Sequence, residues 1–99
     1  MAPLNWDEVR GRYSSGTQVP YLVGSKTFEI AEVTDEAIRF KWRLIEGTIK
    51  RRDLERIVEL IEEGVVRRDK VTLTSDYRTL VTDERPTTAI SILQDLGYL

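Results

Sequence analysis

The chain has 99 residues, 40% hydrophobic and 32% charged, with a net charge of −2 and with neither cysteine nor histidine. Length and composition fit one well-solvated globular domain over 1–99. The missing residue types exclude disulfides, thiol and Ser-His-Asp nucleophiles, structural zinc and the usual proton shuttle near neutrality.

In chain order, the opening MAPLNWDEV lacks a basic segment followed by an apolar run. No apolar run approaches the roughly 20 residues of a membrane span, so the expectation is a cytoplasmic protein with no membrane partner. Asn5 is placed to cap a short helix from Trp6 to about Tyr13, with Trp6, Val9 and Tyr13 on one face and Asp7 and Glu8 in the first turn.

From about 19 to 50 the pattern is β. Segments 19–23, 27–33, 37–44 and 48–50 are separated by turn clusters at 24–26, 34–36 and 45–47. Short loops favour an antiparallel meander of three to four strands, one face wet and one dry. Gly24-Ser25-Lys26-Thr27 resembles the end of a phosphate-binding loop only superficially. Serine separates glycine from lysine and a strand follows, so the stretch reads as a hairpin turn.

The segment IRFKWRL, 38–44, alternates Ile38, Phe40, Trp42 and Leu44 with Arg39, Lys41 and Arg43. A two-residue loop at Asp35-Glu36 sets Val33 against Ile38 and Glu32 against Arg39. Strict register then carries Phe28 to Arg43, whereas a bulge near Ala31 restores Ile30 to Phe40, Glu29 to Lys41 and Phe28 to Trp42. A three-residue loop ending at Ala37 sets Glu29 against Arg43 and leaves Val33 wet. Either way Glu29 meets a cation, which gives the basic face an ordinary structural use.

After Lys50 the period changes. Leu54, Ile57, Val58 and Ile61 define a helix over 51–63, closed by Gly64, whose stripe covers the apolar face of IRFKWRL. A loop or short strand through 71–73, a helix capped by Thr74 or Ser75, and a last helix opened by Pro86 and closed by Gly97 complete the chain. The fold class is α+β: a short N-terminal helix and a meander packed against helix 51–63 and two C-terminal helices.

The carboxylates are scattered and no calcium-loop spacing occurs, so no catalytic, cofactor or metal residues are expected. Charge is uneven: 1–38 carries −3, 39–70 carries +3 and 71–99 carries −2. Lys50-Arg51-Arg52 opens a helix that Glu59, Glu62 and Glu63 close, against the preference of the helix dipole. The pair Arg51–Glu55 and a fold-back of Arg67 and Arg68 would repair this locally.

The expected function is therefore a small non-enzymatic binding module for a protein partner or a second copy of itself. Tyr21, Tyr77, Tyr98, Val65 and Val66 are apolar anchors if exposed. The alternative is nucleic-acid backbone binding through the basic strand 39–43 and the helix start 50–52. The candidate binding residues in both are Arg39, Lys41, Arg43, Lys50, Arg51 and Arg52. The acidic ends also fit a mimic of nucleic acid, but the basic centre does not.

Overall fold

The computed structural model describes residues 4–99. Helix α1 (Trp6–Arg12) is capped as expected: the Asn5 side chain accepts from the N–H groups of Asp7 and Glu8. Strands β1 (Gln18–Pro20), β2 (Thr27–Val33), β3 (Ala37–Trp42) and β4 (Ile45–Lys50) form one antiparallel sheet in the order β1-β2-β3-β4. Helices α2 (Arg51–Glu62), α3 (Lys70–Leu80) and α4 (Pro86–Leu96) follow, giving an α+β fold.

The bulged register is the one observed. Val33 pairs with Ile38, Glu32 with Arg39, Ile30 with Phe40 and Glu29 with Lys41, with the irregularity between Ile30 and Glu32. This keeps Phe28, Ile30, Ile38 and Phe40 on one buried face with Val19 and Ile49. A register without the bulge would have put part of this set in water.

Three boundaries differ from the sequence reading. The β3–β4 turn falls at Arg43-Leu44, not at 45–47, so β3 stops at Trp42 and Leu44 is fully exposed instead of joining the core face. Strand β1 ends at Pro20, before Tyr21 to Val23. Helix α3 starts at Lys70, since the Asp69 carboxylate caps it by accepting from the N–H groups of Val71 and Thr72, so 71–73 is helix and not a loop or strand, and Thr74 and Ser75 lie inside it.

Leu54, Ile57, Val58 and Ile61 of α2 join Leu73 and Tyr77 of α3 and Ala89, Ile90, Ile92 and Leu93 of α4 in one core cluster with the buried sheet face. Fully burying each large aliphatic side chain contributes about 1.5–3 kcal/mol. Gly97, left-handed at φ 93°, closes α4, a conformation that would strain other residues.

Two phenols lie in this core with their protonated forms favoured. The Tyr13 hydroxyl donates to Asp95 Oδ2 at 2.7 Å, tying the end of α1 to α4. Burial first, and then Asp95, hold the Tyr13 phenol far above its ordinary value. Burial, followed by the charges of Asp53 and Glu84, does the same for Tyr77. Because the folded chain holds these protons more tightly than the unfolded one, their contribution is fully present below the unfolded value of about 10 and is lost as pH rises above it. Alkaline unfolding with onset near pH 10, accompanied by the ultraviolet absorbance of tyrosinate, is the expected result; tyrosine ionisation complete before any loss of helical signal would contradict it.

Candidate functional site

The six candidate cations do not form one surface. Arg39 and Lys41 stand on the exposed sheet face, where Arg39 Nη1 pairs with Glu32 Oε1 at 2.9 Å and Lys41 lies in register between Glu29 and Glu46. With Lys50 at the end of β4, that face carries Glu29, Glu32 and Glu46 against Arg39, Lys41 and Lys50, and its formal charge cancels.

At the sheet end where the β2–β3 turn meets α2, a cleft of about 570 Å³ is lined by Asp35, Glu36, Lys50, Arg51, Arg52 and Glu55, among others. Signs are mixed here too. The start of α2 has no side-chain cap. Its first amide is nonetheless used, since the Arg51 N–H donates to the Glu36 carbonyl at 2.7 Å. The Arg51 guanidinium donates to the Asp35 carbonyl at 3.1 Å, pairs with Glu55 at 3.2 Å and lies 5.2 Å from the centre of the Trp6 ring. Arg51 thus latches α1, the β2–β3 turn and α2 together. Lys50 and Arg52 are exposed. At the far end of α2, Arg68 folds back onto Glu62 at 3.2 Å, the local repair expected there, while exposed pairs of this kind contribute about 0–1 kcal/mol.

Arg43 lies at the opposite end of the sheet. It is the first residue of the β3–β4 turn, with φ 56°, a position that hairpins normally give to glycine. Its guanidinium sits 4.8 Å from the centre of the half-buried Trp42 ring, and Lys26 Nζ approaches the same ring at 5.8 Å. Tyr21 meets Trp42 edge-on at 6.3 Å and Phe28 at 4.9 Å, so the half-buried Trp42 is continuous with the core. Leu44, Val23 and Ile45 are exposed in the same two loops and the adjoining end of β4. In the segments 21–26 and 42–45 the only charged residues are Lys26 and Arg43.

Sequence reasoning missed this assembly because it put Trp42 wholly in the core and Leu44 beneath a helix. The signal was present in the two-residue length left for the hairpin once Ile45 to Lys50 is given its full strand. Of the other proposed anchors, Tyr77 and Val66 are buried and complete the core, Tyr21 and Tyr98 are half-buried, and Val65 is exposed.

Among the described residues no cluster of acidic side chains is arranged to hold a metal ion, and no helix is long and apolar enough to cross a membrane. Comparison with protein-family models, with curated proteins and with solved structures finds no match for the chain.

Proposed function

We propose that the chain is a non-enzymatic module that binds a protein partner through the Trp42 end of its sheet, and that the partner presents an apolar segment carrying acidic side chains. The observation that carries this reading is the placing of Arg43 and Lys26 over Trp42 beside the exposed Leu44, Val23 and Ile45. Tryptophan, tyrosine and arginine are the residues that most often dominate interface energies. Exposed aliphatic side chains grouped with them supply apolar area, and Lys26 and Arg43, with Lys41 set against the adjoining acid Glu29, favour an acidic partner.

Arg43 also bears a cost that a turn need not carry. A left-handed non-glycine residue loses about 1–2 kcal/mol, and such strain is concentrated at functional positions. Arg43→Gly removes that strain and gives up a cation–π contact of about 0.5–1 kcal/mol, so folding stability should change little.

The test is a titration of tryptophan fluorescence with an amphipathic peptide of leucine and glutamate. Trp6 is only 4% exposed, so Trp42 is the responsive fluorophore, and Trp42→Phe provides the blank. Binding weakened by about tenfold in Arg43→Gly, with its melting curve unchanged, is the expected result. Equal binding by wild type, Arg43→Gly and Leu44→Asp would sink the proposal.

The nucleic-acid alternative draws on the uncapped start of α2 beside the exposed Lys50 and Arg52. Against it stand the cancelled charge of the sheet face and the commitment of Arg51 to Asp35, Glu36 and Glu55.

A further inference from the structure

We infer that β4 is a self-pairing edge through which two copies of this chain join their sheets, antiparallel about a two-fold axis at Thr48. This concerns a different surface from the Trp42 end and stands or falls separately from the reading above.

The two edges of the sheet are built differently. Edge strand β1 has three residues and ends in Pro20, which has no N–H, and the next segment is tied to α4 by the Leu22 N–H donating to Ser91 Oγ at 3.1 Å. These are devices that keep an edge from pairing. Edge strand β4 has six residues, with no proline and no bulge.

The phase of the ladder is fixed by the Arg51 N–H donating to the Glu36 carbonyl. Residues at two-residue steps back from Arg51, namely Ile49, Gly47 and Ile45, bond to β3. The N–H groups of Glu46, Thr48 and Lys50 therefore point away from the sheet, as do the carbonyls of Glu46 and Thr48. None of them has a turn, loop or cap partner among the described residues. All three residues are exposed.

A lone lysine on an edge discourages pairing, but here it is matched. Antiparallel pairing centred on Thr48 sets Thr48 beside the partner's Thr48, Glu46 beside the partner's Lys50, and Lys50 beside the partner's Glu46. Among the described residues neither Glu46 nor Lys50 makes an ion pair within its own chain. The outward N–H groups have the parity this register needs: Thr48 bonds with the partner's Thr48 and the Lys50 N–H donates to the carbonyl of the partner's Glu46. Slipping the register by two residues either way sets Thr48 against a charged residue and dissolves both ion pairs. An isologous contact repeats each interaction across the axis, so complementarity is gained twice.

The experiment is a concentration series of the full chain by analytical ultracentrifugation. Wild type should show a reversible monomer–dimer equilibrium. Glu46→Lys and Lys50→Glu each turn two attractive pairs into two repulsive ones and should each weaken the dimer by about tenfold or more. An equimolar mixture of the two variants recreates opposite charges at both positions and should associate as wild type does. Because Lys at position 46 would also face Lys41, Thr48→Pro serves as a second disruption. It removes an outward N–H and leaves the N–H groups of Ile45, Gly47 and Ile49 to bond β3, so it should likewise shift the equilibrium to monomer. A wild type that stays monomeric throughout, single variants that dimerise normally, or a mixture that fails to recover would each overturn the inference.

Discussion

Phe40→Ala is expected to lower stability by about 3–5 kcal/mol, the range for deleting a buried aromatic ring. Phe40 is 2% exposed and lies at the middle of the sheet. Its ring meets Phe28 edge-on at 5.6 Å, and the Arg85 guanidinium lies 5.9 Å from its centre. On the neighbouring strand it covers Gly47, which contributes no side chain to close the gap that truncation would leave. Against a total stability of about 5–15 kcal/mol, such a loss leaves a marginal fold. A urea midpoint shift equivalent to less than about 1 kcal/mol would show that this ring is not the keystone of the sheet–helix interface.

Gly47→Ala tests the same packing from the other side and is expected to destabilise by about 1–3 kcal/mol through overpacking. A Cβ there would lie 2.5 Å from Phe40 Cζ and 2.7 Å from Cε1, and 3.3 Å from Arg85 Nε. The ring is 2% exposed and packs edge-on against Phe28, which limits how far it can give way. Gly47 has no positive φ, so the glycine serves space and not backbone conformation. Alanine would otherwise have gained about 0.4–1 kcal/mol from the unfolded chain. The penalty should therefore vanish or change sign in a Phe40→Ala background, a coupling within the range of about 0.5–3 kcal/mol found for touching residues. Additive losses in the double variant would mean that residue 47 and Phe40 do not meet.

Much of the architecture was legible because local and long-range signals agreed. The β2–β3 hairpin was readable as one of two registers, and the structure takes the one with a bulge near Ala31, which lets Val33, Ile30 and Phe28 face the core together. Helix α2 was readable from one stripe, and α4 from Pro86 and Gly97. The β3–β4 turn was not, because Arg43-Leu44 has no glycine, asparagine or aspartate to announce it, while Glu46-Gly47 has the composition of a turn. Gly47 is in fact a strand residue beneath an aromatic ring, and that reason is visible only in three dimensions.

The same misplacement governed the candidate site. Reading β3 through Leu44 put Arg39, Lys41 and Arg43 on one basic face. Moving the turn two residues earlier takes Arg43 off that face and brings Glu46 onto it opposite Lys41. Lys50-Arg51-Arg52 stood out for its poor match to the helix dipole, and for Arg51 the offset is its bonds to Asp35 and Glu36 in the β2–β3 turn together with the local pair to Glu55. The Trp42 assembly joins residues from two hairpin loops, a proximity that no local pattern encodes.

The proposed partner surface is the Trp42 end, because Arg39 and Arg51 are paired within the chain and the formal charge of the sheet face cancels, while Lys50 and Arg52 stay exposed at the helix start. Its most direct test repeats the peptide titration with generic duplex DNA in place of the peptide, at about 50 and 200 mM salt. The expected result is peptide binding that depends on Arg43 and no saturable binding of the duplex at either salt. Duplex binding at low salt that falls steeply at high salt and is lost in Lys50→Ala and Arg52→Ala would contradict it.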